Sequence, residues 1–308
     1  MAKDRKRGIG TTVARRSYRE IDTQFYRGYD ANFLYNKAIA LRYATQHANK
    51  FKEDLESSME LDTPIGQGYF SSLSAELHFT EMHQFETFFS LLVAVFQNYS
   101  HWVYLTGYEN QEMKNAITSF IKGDISAVTN DICDNDRAFV QIGLYCDGSL
   151  GDDEDARAKW GKNLDNAARL IRRMAQRFID ADDYMAYKHG LRVLPMSSTI
   201  EISLAGTNEQ PDRPVFTATS AHAIQFLRLK DIGEGGKTIH SVHRHFDPDD
   251  SFTYIGVMRN MLRTIQTTRL AKLTGKETQL VNVTQFGELD EDDFNNVGAQ
   301  DFVLSFTT

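Results

Sequence analysis

Over residues 17–60 apolar positions recur at helical spacing. Phe25, Phe33, Leu34, Ile39 and Leu41 are interleaved with polar residues, which predicts helix with a break near Gly28. The loop residues Thr63-Pro64-Ile-Gly-Gln-Gly68 follow. Residues 71–105 are the most apolar part of the chain, and are expected to form one long helix at the centre of a bundle. A short helix is expected from Glu109 or Asn110 to Ile121. Residues 124–151 are mixed, and "GSLGDDED" reads as an exposed turn leading into an acidic helix start. The spacing then predicts a long helix over residues 153–189, with Gly190 at its left-handed end. Between Pro64 and Pro195 the chain has no proline, so nothing in that stretch breaks a helix by ring geometry.

After Gly190 the period changes from helical to alternating. "TIEISLAG" alternates apolar and polar residues with β-branching, and "VFTAT" and "KTIHSVHRHF" are further strand candidates, with "GEGG" between elements. "DPDDSFTYIGVMRNMLRTIQTTRLAKL" returns to helix. Asp247 suits the N-cap, Pro248 the first turn, and Asp250 the positive helix end, while Ile255, Met258, Leu262 and Ile265 make the apolar face. "QLVNVTQF" and "DFVLSF" read as short strands flanking the acidic "ELDEDDF". The expected fold class is mainly α: a multi-helix bundle with a small β-rich section inserted before the last long helix. The expected segments are a basic flexible tail (1–16), a helical bundle (17–190), the β-rich section (191–250), a helix returning to the bundle (251–275), and short strands with an acidic segment (276–308).

Composition agrees with a soluble globular chain: 308 residues, 41 % hydrophobic and 25 % charged. A net charge of −8 argues against the protein as a whole being drawn to nucleic acid or to an anionic membrane. The apolar run 88–96 is about half the roughly 20 residues a spanning helix needs, so no membrane partner is expected. Cys133 and Cys146 form neither a disulfide framework nor a zinc motif, which points to a reducing cytoplasm. "MAKDRKRGIGTTVARR" is basic without an apolar core and reads as a solvated tail.

Several residues carry candidate chemistry. Glu76 and His83 lie seven apart and share a helix face with Thr80, Thr87, Ser90, Ala94 and Gln97. That stripe either faces water or forms a polar track, with His78 and Glu81 as flanking residues. Asp182 and His189 repeat the spacing and interrupt the apolar rhythm of Ile171, Ala175 and Phe178. They are either satisfied structural groups or ligands. Two such helices would supply the four ligands Glu76, His83, Asp182 and His189 of a dinuclear metal site. The spacing is similar to the glutamate–six residues–histidine element of haem-oxygenase-like di-iron oxidases, although their later His-Asp-His triplet has no counterpart here. His243 and His245 share a strand face, with Asp247 following, and either hold a metal or decorate a solvated edge. No cofactor other than such a metal is expected. Nucleophile elbow, Walker loop and dinucleotide fingerprint are all missing, and "GEGGKT" leads into a strand where a phosphate loop needs a helix.

The helix ending "DDYMAYKHGLRVLP", after a run of hydrophobic helices, resembles the helix ends of bacterial HEPN-type helical proteins. Members that act as ribonucleases carry arginine and histidine four to six residues apart, a spacing matched here by Arg42 and His47. The expected function is that of a cytoplasmic binding protein of HEPN-like character, for a partner chain or RNA; the alternatives are a metal-dependent, di-iron-like enzyme with its ligands on two long helices, and a ribonuclease. His101, Trp102, Tyr104 and Tyr108 form a candidate contact surface, and a homo-oligomer or a partner protein would fit it.

Overall fold

The computed structural model describes residues 15–59, 65–97, 100–107, 109–150, 153–181, 184, 187–188, 193–204, 213–231, 237–286 and 297–305. It is mainly helical, with a small antiparallel sheet before the last long helix, as the hydrophobic pattern predicts. The helices are α1 (Arg15–Gly28), α2 (Phe33–Gln46), α3 (Ala48–Ser58), α4 (Gln67–Ala94), α5 (His101–Gly107), α6 (Asn110–Ile121), α7 (Ser126–Thr129), α8 (Asp136–Tyr145), α9 (Glu154–Ile179) and α10 (Pro248–Thr274). The strands are β1 (Val193–Leu204), β2 (Arg213–Asp231), β3 (Lys237–His245), β4 (Thr278–Phe286) and β5 (Val297–Ser305). None of the described helices is long and apolar enough to cross a membrane.

The chain divides into two compact units. The first holds Met1–Asn32, Gln84–Asp180 and Val257–Thr308, and the second Phe33–His83 and Ala181–Gly256. In the first unit the core is aromatic. Phe85, Phe88, Phe89 and Phe178 are fully buried, and the Phe89 ring stacks on Phe178 at 5.7 Å. Phe96 stacks on Phe139 at 5.6 Å. Gly143 allows α8 to approach this group, since a Cβ there would come within 3.0 Å of Leu92. Thr268 on α10 donates to the Leu144 carbonyl at 3.0 Å. Strands β4 and β5 pair antiparallel from Thr278↔Ser305 to Phe286↔Val297.

The helix expected over residues 71–105 is two helices, and the reason is a capping carboxylate. Asp22 of α1 accepts from Ser100 Oγ at 2.6 Å and from the N–H groups of His101 and Trp102 at 3.2 Å. Those donors would otherwise be orphaned at the start of α5. Asp22 is itself 6 % exposed, so Asp22→Ala strands several donors without water. It is expected to cost about 2–3 kcal/mol in denaturant unfolding. Of the helix expected over residues 153–189, α9 ends at Ile179 with Asp180 as its C-cap, and Tyr184, Tyr187 and Lys188 beyond it are again helical. The N-terminal helical stretch breaks near Gly28 as expected, and again at His47, whose φ of −115° and ψ of 39° leave the helix. The mixed stretch over residues 124–151 contains α7 and α8.

In the second unit α2 buries Leu34, Ala38 and Ala44, with Leu41 partly buried between them. Ala38, Leu77 and Ile255 form a core cluster, with Tyr35, Leu41 and Phe252 packed on it. The sheet order is β1-β2-β3, antiparallel throughout. Strand β2 is much longer than "VFTAT" suggested, because its later half buries Ala223, Ile224 and Phe226. Helix α10 starts as expected: the Asp249 N–H donates to Asp247 Oδ1 at 2.8 Å, and Pro248 occupies the first position. It stops at Gly275, whose φ of 73° lies in the left-handed region that favours glycine.

Candidate functional site

The second unit contains a cavity of about 650 Å³, a size common for small-ligand sites. Antiparallel pairing builds one wall. Ala223 sits opposite His245, and the Phe246 N–H donates to the His222 carbonyl at 3.2 Å, so His222, His245 and Phe246 gather at one end of the sheet. The chain then turns into α10 and adds Asp247 and Asp249. From α2 come Arg42, Thr45 and Gln46, which one helical turn places on a common face.

Arg42 is held from two directions. Its Nε lies 3.0 Å and its Nη2 2.8 Å from Asp249 Oδ1, and its guanidinium carbon sits 4.4 Å from the Phe252 ring centre. Asp249 is 67 % exposed, so this ion pair orients the arginine more than it stabilises the fold. The contact engages two of the three guanidinium nitrogens, and a guanidinium carries five N–H donors. Asp247 spends one carboxylate oxygen on the helix cap.

Behind Phe246 lies a buried polar group. The imidazole of His78 stacks on the Phe246 ring at 4.9 Å with an interplanar angle of 17°. Its Nδ1 is 3.6 Å from Glu81 Oε2, which accepts from Ser251 Oγ at 2.7 Å. His78 is 3 % exposed and Glu81 and Ser251 are fully buried. A carboxylate this deep needs such partners, and the first turn of α10 adds the positive end of a helix dipole.

The residues nominated from sequence fall in several places. Glu76 is half-buried, pairs with the Lys37 ammonium and accepts from the Tyr187 hydroxyl at 2.8 Å. Burial first, and then this bond to Glu76, push the Tyr187 hydroxyl up to about 12. His83 is exposed, whereas Thr80, Ser90 and Ala94 of the same stripe are buried. Asp182 and His189 lie outside the described residues. His243 and His245 are both exposed on β3, and His245 faces the cavity. Among the described residues no three His, Cys, Asp or Glu side chains gather in an arrangement able to hold a metal ion. Arg42 lines the cavity, while His47 is exposed and packs its ring 4.7 Å from that of Tyr43. Of the aromatic surface, Trp102 is 41 % exposed and Tyr104 half-buried. His101 is turned inward against the Tyr26 hydroxyl at 2.7 Å, and Tyr108 lies outside the described residues.

His78 and Glu81 correct the reading of α4. They are not flanking residues but the buried pair. The signal was present: Ser74, His78, Glu81, Phe85, Phe88 and Leu92 step by three and four, and all are buried. His222 had no signal in spacing, since the strand register brings it beside Phe246.

Fold and site thus define a mainly helical protein with a mixed-polarity cavity at a sheet end. Comparison with family models, curated proteins and solved structures finds no match.

Proposed function

We propose that this is an RNA-binding protein and that the cavity around Arg42 is where a nucleotide of the strand is held. One observation carries the proposal: a single cavity brings together a guanidinium, two imidazoles, a phenyl ring and two carboxylates. These match the parts of a ribonucleotide. Arg42 suits a phosphate, Phe246 a base, and the carboxylates of Asp247 and Asp249 can accept from ribose hydroxyls. The cavity's volume suits one nucleotide, and its single arginine suits one phosphate. A net charge of −8 is compatible with such a local contact but not with tracking a long backbone. The resemblance of "DDYMAYKHGLRVLP" to HEPN-type proteins supports the same class, and a cytoplasmic setting accompanies it.

The test is a fluorescence-anisotropy titration with labelled oligouridylate. Wild-type protein should bind, and Arg42→Ala should weaken binding by about tenfold or more, the loss of one charge-assisted hydrogen bond. The logarithm of affinity should fall with the logarithm of salt with a slope of about −0.7, as for one phosphate on a single strand. The deoxy oligomer should bind more weakly, since it lacks the hydroxyl. Equal binding by wild type and Arg42→Ala would contradict the proposal.

A further inference from the structure

The cavity has one aromatic wall, and that wall rests on groups outside the cavity. Phe246 is only partly buried, follows the last residue of β3 and precedes the α10 cap, so strand pairing alone does not fix its ring. The imidazole of His78 lies nearly parallel to the ring at 4.9 Å. His78 Nδ1 lies 3.6 Å from Glu81 Oε2, longer than a hydrogen bond, and Glu81 accepts from Ser251 Oγ at 2.7 Å. A second imidazole, His222, sits 6.2 Å from the Phe246 ring at 45°. A core built only for stability would do better with apolar groups here, because a buried carboxylate must first repay its desolvation.

Resting on the RNA-binding reading, we infer that His78, buried beside Glu81 and stacked on Phe246, is a positioning residue that holds Phe246 as a stacking platform, so that the cavity selects a base-bearing nucleotide over a bare sugar-phosphate. Base–aromatic stacking tolerates every base because each has a π-face, so the selection is for the presence of a base and not for its identity. His78 touches Phe246 and not the ligand. Its effect therefore shows in how strongly a base improves binding, while phosphate affinity stays as Arg42 sets it.

The experiment compares oligouridylate with an abasic ribose-phosphate oligomer of equal length, by the same anisotropy titration on the full chain. Wild type should prefer the base-bearing oligomer by roughly tenfold. His78→Leu removes the flat face and should bring the ratio close to one, with abasic binding unchanged. His78→Phe keeps a flat face and should retain the preference. Phe246→Leu, at the cavity wall and outside the buried core, should lose the preference too, and it answers the question where His78→Leu does not fold. An unchanged ratio in Phe246→Leu, or equal binding of both oligomers by wild type, would overturn the inference while leaving the RNA-binding reading intact. Failure of wild type to bind either oligomer would overturn both.

Discussion

Phe89→Ala is expected to cost the fold about 3–5 kcal/mol. Phe89 is fully buried, with ring centres of Phe88 at 5.2 Å, Phe178 at 5.7 Å and Phe85 at 6.4 Å. Truncation removes the transfer energy of a ring and leaves a void walled by three other rings. Those rings sit on α4 and α9 and cannot collapse into the space without moving a helix. Against a typical total stability of about 5–15 kcal/mol, this is a large share. The denaturant midpoint should fall with little change in slope. Phe33→Ala, at a residue 67 % exposed, should stay within about 0.5 kcal/mol of wild type. Similar losses at the two positions would contradict the packing described for the first unit.

The second large effect is a loss of stability in acid that runs through His101. Burial first, and then the nearby charge of Arg269, lower its pKa to about 3. The neutral ring accepts the Tyr26 hydroxyl at Nδ1, 2.7 Å away. Burial pushes the Tyr26 hydroxyl well above the ordinary tyrosine range, so it stays protonated and able to donate. In the unfolded chain His101 takes up a proton near pH 6.5, whereas in the folded chain it stays neutral to about pH 3. Between those values the unfolded state binds more protons, so stability falls as pH falls. The contribution is fully present above about pH 6.5 and lost by about pH 3, and amounts to on the order of 3–5 kcal/mol. His101→Gln removes the titration. Stability measured against pH in wild type and variant should therefore converge as pH falls through that window. Parallel curves would show that His101 titrates in the folded state as it does in the unfolded one.

The helices were legible because burial imposes a period on the sequence. Ile255, Met258, Leu262 and Ile265 are spaced for one face, and Ile255, Met258, Leu262 and Ile265 are all buried. The start of α10 was legible because Asp247 and Pro248 act locally. Helix ends set by distant groups were not. The break before α5 depends on Asp22, 78 residues away from Ser100, and no local residue announces it. The cavity was legible only in fragments. His245 stood out within a histidine-rich strand, and Arg42 through its spacing to a histidine that lies elsewhere on the surface. What joins Arg42 to His222, His245 and Phe246 is strand register and helix placement, which spacing along the chain does not encode. The polar stripe of α4 misled in a physical way. Glu76 and His83 are polar residues at the edge of the buried face, while His78 and Glu81 sit inside it because Ser251 and Phe246 receive them. Polarity marked the edge, and the 3–4 rhythm marked the core.

Under the RNA-binding proposal two surfaces compete: the cavity with Phe246 in the second unit, and the exposed ring of Trp102 in the first, which packs 5.8 Å from Phe25. The most direct discrimination is photocrosslinking of a 4-thiouridine-bearing oligomer to the full chain, with the modified residue mapped by mass spectrometry. The crosslink is expected within the peptide that contains His245 and Phe246, and is expected to be lost in Arg42→Ala. A crosslink confined to the peptide containing Trp102 and Tyr104, or one that persists unchanged in Arg42→Ala, would contradict the proposal.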